Sequence, residues 1–207
     1  YAKMRSATEL PKTSQPSVED FLAAYRELED CNRILSIHLS GELSGTVQSA
    51  LMAAERSTVP VTVIDGKQAS IATGFLIEAA VEARSEGKGA DEIESIVKKT
   101  SEEMKIAFTV DSLKYLAASI LKIRPVLTLS DGIVAADKAV KGRSRLLSEM
   151  VELIKESSGG KAVHMGYAHA DCPSAIDDMR EAVRAAGVAV VSETISGIGC
   201  VIGTYVG

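Results

Sequence analysis

Hydroxylated residues and glycines are concentrated between Ser40 and Thr46, in a segment with the sequence SGELSGT. The apolar run before it, residues 33–39, predicts a buried strand, and the alanine-rich run after it, residues 46–55, predicts a helix. The segment would then lie at the carboxyl end of a strand, where open parallel sheets bind ligands. The free N–H groups and the positive end of the helix dipole would attract an anion to this place.

The side chains of this segment favour a small anion with one negative charge. Ser40, Ser44 and Thr46 supply hydroxyl donors, and the segment contains no lysine or arginine. Together with the helix N-terminus, these donors predict a carboxylate site, whereas a polyphosphate would more often need a nearby cation. A simpler alternative is that Ser44 or Thr46 only caps the helix.

Two other segments combine hydroxyl groups with turn residues. The first, residues 13–17 (TSQPS), precedes a predicted helix over residues 18–29, and Ser17 and Asp20 have the spacing of a capping box. The second, residues 197–207, is rich in glycine and follows a predicted strand without a clear helix after it. It lacks the G-x-G-x-x-G spacing of a dinucleotide site.

Catalytic motifs are weak. Residues 41–45 spell G-x-x-S-G, one position away from the G-x-S-x-G nucleophile elbow, so a hydrolase or acyltransferase using Ser44 is the alternative enzyme hypothesis. His38 and His169 could in principle serve as its base, but a histidine on a strand, such as His38, is more often a packed residue. No group of Asp, Glu and His residues has metal-ligand spacing. We therefore predict no catalytic residue, no metal and no cofactor.

A basic run precedes and opens a predicted helix over residues 143–156. It comprises Lys138, Lys141, Arg143 and Arg145. Such a run is typical of a solvated helix start, but it also fits a docking patch for an anionic partner or a phosphate. The sequence leaves both interpretations open.

The composition narrows the classes of function. The chain has 207 residues, 46% of them hydrophobic, with a net charge of −5 and a pI of about 5.3. These values argue against broad nucleic-acid binding. No apolar run reaches the roughly 18 to 20 residues of a membrane span, and residues 1–13 show no signal peptide. We expect a cytoplasmic protein without stable membrane insertion, whose three cysteines are packing residues.

The order of predicted elements indicates two lobes. Strands and helices alternate up to residue 104, which favours a parallel sheet. A strand near residues 106–110, a short helix at 112–121 and a hairpin across Ser130-Asp131-Gly132 follow. We predict an α/β fold with an N-terminal parallel-sheet α/β lobe, residues 1–105, and a C-terminal α+β lobe with a mixed sheet, residues 106–207.

Several motifs, in this order along the chain, resemble the DegV family. They are Thr13-Ser-Gln-Pro-Ser17, residues 37–50, Val63-Ile-Asp65, residues 110–116, residues 123–127, His169-Ala-Asp171 and Val201-Ile-Gly-Thr204. The resemblance covers nearly the whole chain, and the pairing of TSQPS with LSGT is specific. Members of this family are bacterial fatty-acid-binding proteins. Some of them are the binding subunit of fatty acid kinase and present the acyl carboxylate to a separate ATP-using subunit.

The resemblance implies a role for each candidate residue. Thr13 and Ser40 would donate hydrogen bonds to the carboxylate of a long-chain fatty acid whose acyl chain is buried inside the protein. Further head-group residues would be Ser44, Gly45, Thr46, Thr204 and Tyr205. Arg143 would face the kinase partner or its phosphate. The expected protein is a non-catalytic lipid-binding subunit; the alternatives are the Ser44 enzyme and a regulatory module in which lipid is structural.

Four features depart from the family pattern. Family members normally begin with an additional strand and continue beyond the final Gly-Thr-x-x-Gly, so we expect the sequence to be incomplete. They also carry a Gly-Gly-Arg-Ile loop after the Tyr-Leu pair, whereas here Leu116 runs almost directly into Ser119. Tyr205 stands where the family often has histidine, although a phenol also donates a hydrogen bond.

Overall fold

The computed structural model describes residues 1–9, 11–110 and 123–206. Within these ranges the chain forms eight helices and seven strands. In chain order they are α1 (Ala2–Ser6), α2 (Val18–Arg26), β1 (Ile34–His38), α3 (Thr46–Ala54), β2 (Val61–Asp65), α4 (Ile71–Ser85), α5 (Ala90–Glu103), β3 (Ala107–Phe108), β4 (Ile123–Ser130), β5 (Ile133–Lys141), α6 (Arg143–Ser158), β6 (Val163–His169), α7 (Ser174–Ala185), β7 (Val190–Gly197) and α8 (Cys200–Val206).

The chain divides into two compact units. The first unit contains Ser14–Met104 together with Ser130–Ile133, the tip of the hairpin formed by β4 and β5. The second unit contains Tyr1–Thr13, Lys105–Leu129 and Val134–Gly207. The predicted lobes 1–105 and 106–207 stay a prediction.

The first unit is built on the parallel pair β1 and β2. Ile34 lies opposite Val61, and His38 lies opposite Asp65. Alternate residues of a strand point to opposite faces, so Ile34 joins a core cluster with α2 and α3, while Leu35 joins one with α4 and α5. Because the strands are parallel, both carboxyl ends reach the same edge of the sheet. The loops after His38 and Asp65 are therefore neighbours.

The helix-capping features predicted from the sequence are present in this unit. The Ser17 hydroxyl accepts a hydrogen bond from the N–H of Asp20 at 3.2 Å, and the Asp20 carboxylate accepts one from the N–H of Ser17 at 2.8 Å. This reciprocal pair is the predicted capping box. Gly87, just past α4, has a φ of +82°, the left-handed conformation that ends many helices.

The second unit contains two separate sheets. Strands β3, β4 and β5 form one, in which β3 and β4 are antiparallel, and β6 and β7 form a parallel pair. Helix α6 contributes Val151 to a core cluster with α7 and β6, and Leu146 to a second cluster with β4 and β5. The predicted α/β class, with a parallel sheet first and an α+β arrangement later, is confirmed.

Three expectations need correction or fall outside the description. The glycine-rich end was expected to lack a helix, but it forms α8, which begins at Cys200. Gly203 of this helix leaves room for the ring of Tyr1: a Cβ on Gly203 would lie 2.3 Å from the Tyr1 hydroxyl oxygen. The cysteines are not packing residues: Cys31, Cys172 and Cys200 are free and exposed. The predicted helix at 112–121 and the motif residues 111–116 lie outside the described residues.

Among the helices that the structure describes, none combines the length and the apolar character that crossing a membrane requires.

Candidate anion-binding site

Ser40 is the centre of the hydroxyl-rich loop. Its side chain is completely buried, with 0% of its surface exposed. Its N–H donates to the carbonyl of Gln68 at 2.8 Å, and its hydroxyl donates to the carbonyl of Gly132 at 2.8 Å. The same hydroxyl oxygen accepts a hydrogen bond from the N–H of Glu42 at 3.1 Å. Ser40 therefore joins its own loop to the loop after β2 and to the hairpin tip.

The loop then folds back and opens α3. The carbonyl of Ser40 accepts hydrogen bonds from the N–H groups of Leu43 at 3.1 Å and Ser44 at 3.2 Å. The hydroxyls of Ser44 and Thr46 lie 2.8 Å apart, and the Ser44 hydroxyl also accepts from the N–H of Thr46 at 3.3 Å. The residue at the N-cap position is Gly45, without a side-chain cap. Neither Ser44 nor Thr46 occupies the N-cap position, but the Ser44 hydroxyl satisfies the N–H of Thr46, the first residue of α3, as the simpler capping interpretation expects.

The start of α3 leaves donors available. Among the described residues, the N–H groups of Gly45, Val47 and Gln48 form no hydrogen bond. Unpaired N–H groups at a helix N-terminus attract anions. The carboxamide of Gln15 lies against this turn, since a Cβ on Gly45 would be 2.4 Å from Gln15 Nε2. Sequence reasoning missed Gln15 as an individual residue, although it lies within the TSQPS motif.

A formal positive charge accompanies the site, contrary to the expectation from the loop sequence alone. The Asp65 carboxylate accepts hydrogen bonds from the N–H groups of Gly41 at 3.2 Å and Lys67 at 2.9 Å. The ammonium of Lys67 lies 3.4 Å from the same carboxylate. The negative charge of Asp65, with smaller contributions from Asp131 and Glu42, raises the pKa of Lys67. Lys67 therefore carries its charge at neutral pH. Its position near the loop follows from the pairing of β1 with β2 and could not be predicted from the loop sequence.

The other predicted head-group residues meet in the second unit. The hydroxyls of Thr13 and Tyr205 share a hydrogen bond, and the buried Thr204 hydroxyl donates to the carbonyl of Pro11 at 2.9 Å. The phenol of Tyr1 donates to the carbonyl of Ile198 at 2.7 Å. These contacts bind the N-terminal segment to α8. They bring together Thr13, Thr204 and Tyr205, which the sequence places almost 200 residues apart.

Arg143 is the first residue of α6 and forms an ion pair with Asp178 of α7. Its side chain is about half exposed, at 49%. It lies at a groove of about 660 Å³ between α6 and α7, whose apolar lining includes Leu147, Val151 and Ala182. The arginine is thus accessible, and an exposed pair of this kind contributes little to stability.

His38 is held away from a catalytic arrangement. Its Nε2 lies 2.7 Å from the hydroxyl of Ser36, which lies 2.9 Å from the hydroxyl of Tyr25. The imidazole ring packs edge-on against Phe21, with ring centroids 5.2 Å apart. These contacts agree with a packed histidine. Among the described residues no hydrogen bond joins Ser44 to a histidine, and no cluster of three or more His, Cys, Asp and Glu residues could hold a metal ion.

Fold and site define an α/β protein with a loop rich in hydroxyl and N–H donors at the carboxyl ends of parallel strands. The family model for DegV proteins, described as uncharacterised proteins of the DegV family, matches residues 1–207. The chain belongs to the DegV family.

Several relatives are described as binding fatty acids. A fatty acid-binding protein from Thermotoga maritima is 33% identical over 228 residues, which cover 100% of this chain and 77% of the relative. The structure of a fatty-acid-binding DegV family protein from Thermus thermophilus has a TM-score of 0.88 at 32% identity and covers 100% of this chain and 79% of its own. A Thermotoga maritima structure said to reveal a fatty acid binding function has a TM-score of 0.86 at 32% identity, covering 100% and 77%.

The contact between the hairpin tip and Ser40 generates a prediction for stability. Gly132 has a φ of +81°, and a Cβ there would lie 2.4 Å from the Ser40 hydroxyl oxygen. Gly132→Ala adds this collision to the strain of a left-handed alanine, about 1 to 2 kcal/mol. Gly87→Ala is the matched control, because Gly87 has a φ of +82° and open space around it. We expect the free energy of unfolding in urea to fall by at least about 1 kcal/mol more for Gly132→Ala. Equal losses of unfolding free energy in the two variants would show that the hairpin tip can move away from Ser40 without destabilising the protein.

The environment of His38 generates a prediction for pH dependence. Burial lowers the pKa of His38, and the nearby Asp65 opposes this only in part. The unfolded chain therefore binds a proton at a higher pH than the folded protein does. Stability contributed by neutral His38 is complete above its unfolded pKa, near 6.5, and falls as the pH drops below it. Urea unfolding at pH 7.5 and pH 5.5 should show this loss, and His38→Gln should reduce it.

His164→Gln is the control, because it removes an exposed histidine and should leave the loss in place. An unchanged pH dependence in His38→Gln would contradict the assignment.

Proposed function

We propose that this protein binds a long-chain fatty acid and holds its carboxylate at the loop formed by residues 40–46. The observation that carries the proposal is the start of α3, where the N–H groups of Gly45, Val47 and Gln48 form no hydrogen bond among the described residues. The hydroxyls of Ser44 and Thr46 lie beside them. Relatives at 32% and 33% identity that are described as fatty-acid-binding support the choice of ligand.

The chemistry of a carboxylate explains why such a loop is needed. A charged head group loses its hydration when its apolar tail is buried, and this is costly unless donors replace the water. Hydrogen bonds to a charged group contribute about 1.5 to 3 kcal/mol each. The positive end of the α3 dipole and the charge of Lys67 add favourable electrostatics. The proposal assigns head-group contacts to Ser40, Ser44, Gly45 and Thr46, and also to Thr13, Thr204 and Tyr205.

The acyl chain needs only apolar walls. The proposal gives the lobe formed by residues 1–105 the anion-binding loop and gives residues 106–207 a part in enclosing the chain. No cofactor is required for this function, because binding and release change no covalent bond.

We propose in addition that the protein presents the bound acid to a separate kinase subunit in the bacterial cytoplasm and is itself non-catalytic. Arg143 supports this part of the proposal, because it is half exposed at the start of α6 and its ion pair with Asp178 is open to solvent. An exposed guanidinium can exchange one carboxylate for a phosphate or an acidic partner side chain at little cost.

Ser40→Ala tests the head-group assignment. The variant removes the one hydrogen bond that the buried Ser40 hydroxyl can donate to a carboxylate, so the affinity for palmitate should fall roughly tenfold, the lower end for one charged hydrogen bond. The affinity for hexadecanol, which brings no charge, should change little. Titration calorimetry with both ligands measures the difference.

The matched control for this titration is Ser85→Ala. Ser85 belongs to the same unit and its hydroxyl also donates to a backbone carbonyl, that of Glu82 at 2.7 Å, at the far end of α4. This variant should bind both ligands like the natural chain. Equal losses for acid and alcohol in Ser40→Ala would mean that the loop contacts the tail and does not hold the carboxylate.

Arg143→Ala tests the presentation of the acid to a kinase. Palmitate affinity should stay nearly constant, because Arg143 and its partner Asp178 are both about half exposed. Acyl-phosphate formation with a fatty acid kinase subunit and ATP should fall at least tenfold. Arg145→Ala is the control from the same helix; Arg145 pairs with Glu149 at 2.8 Å. A large loss of palmitate affinity in Arg143→Ala, or equal kinase activity in both variants, would contradict the role of Arg143.

A further inference from the structure

The Ser40 hydroxyl has one proton, and in the structure that proton is directed to Gly132. The donor and acceptor oxygens are 2.8 Å apart, and Ser40 is fully buried. The oxygen already accepts a hydrogen bond from the N–H of Glu42. A hydroxyl donates one hydrogen bond only, so Ser40 cannot donate to a carboxylate and to Gly132 at once.

The hairpin tip, residues 130–133, is built to reach this hydroxyl. Asp131 and Gly132 have φ values of +47° and +81°. Two successive positive φ values define the tight turn that Asp-Gly sequences favour. A Cβ on Gly132 would lie 2.4 Å from the Ser40 hydroxyl oxygen and 3.0 Å from Cδ of Lys67. The absence of a side chain thus lets the tip lie directly on Ser40 and Lys67.

We propose that the fatty-acid carboxylate and the Gly132 carbonyl compete for the Ser40 proton, so that binding of the acid releases the hairpin tip. This inference rests on the proposed function. A carboxylate is the stronger acceptor, since a charge-assisted hydrogen bond is roughly twice as strong as a neutral one. The hydroxyl turns to the carboxylate, and the carbonyl of Gly132 then needs water as its donor.

Charge favours the same outcome. Asp131 lies on the tip and is exposed, and its negative charge helps to raise the pKa of Lys67. A carboxylate at Ser40 adds a negative charge to those of Asp65, Glu42 and Asp131, and it competes with Asp131 for the charge of Lys67. Both interactions disfavour the tip in its place on the loop. The coupling is reciprocal: whatever holds the tip on Ser40 weakens the binding of the acid.

Hydrogen exchange of the full chain, freed of lipid before the experiment, tests the proposal. With saturating palmitate, the amides of residues 130–133 should exchange about fivefold faster, as expected when one stabilising hydrogen bond is lost. Hexadecanol, a neutral ligand of equal length, should leave them unchanged. In Ser40→Ala these amides should exchange fast without ligand and should not respond to palmitate. Ser85→Ala should behave like the natural chain.

The possible outcomes separate this inference from the proposed function. If calorimetry shows that palmitate binds while exchange at the tip is unchanged or slower, Ser40 keeps its bond with Gly132 and the inference is wrong, although fatty-acid binding stands. If palmitate does not bind, both are wrong. The comparison of palmitate with hexadecanol needs no variant, so it decides the question even where Ser40→Ala does not fold. In that case Ser40→Cys, whose thiol is a weaker donor of similar size, replaces Ser40→Ala.

Discussion

Ser40 connects three segments that are far apart in the sequence, and the candidate site depends on this connection. Its backbone holds the loop after β2 through Gln68 and shapes the turn that leads into α3, while its hydroxyl holds Gly132. These contacts are possible only because β1 and β2 are parallel and end at the same edge of their sheet. A buried hydroxyl without a partner would be destabilising, which explains why each hydrogen-bonding group of Ser40 is used.

The same edge of the sheet carries charges of both signs. Asp65 fixes the backbone of both loops through Gly41 and Lys67, and Lys67 offsets its negative charge. The result is a turn rich in N–H and hydroxyl donors with one cation close by. Such an environment suits an anion with a single charge, because the N–H donors of the turn are already oriented by the start of α3.

Local signals made part of this arrangement predictable. Ser17 and Asp20 form the expected capping box, Asp131-Gly132 forms the expected turn, and the loop from Ser40 to Thr46 lies between a strand and a helix as its spacing indicated. These features depend on neighbours within a few residues. Lys67 joins the site through the pairing of β1 with β2, and Gln15 joins it by packing against Gly45. Neither contact can be predicted from residues close by in the sequence. The helix α8 was missed for a similar reason: glycine disfavours helices, and the contact between Gly203 and Tyr1 is nearly the whole chain away.

Mass spectrometry of an organic extract of the purified, folded protein tests most directly whether this chain carries a fatty acid. Expression in a bacterial host exposes the protein to a mixture of acyl chains, and a buried tail with a well-held carboxylate should survive purification. The account predicts about one equivalent of long-chain fatty acid per chain, lost after Ser40→Ala and retained after Ser85→Ala. An extract without fatty acid, from folded protein that also fails to take up added palmitate, would contradict it.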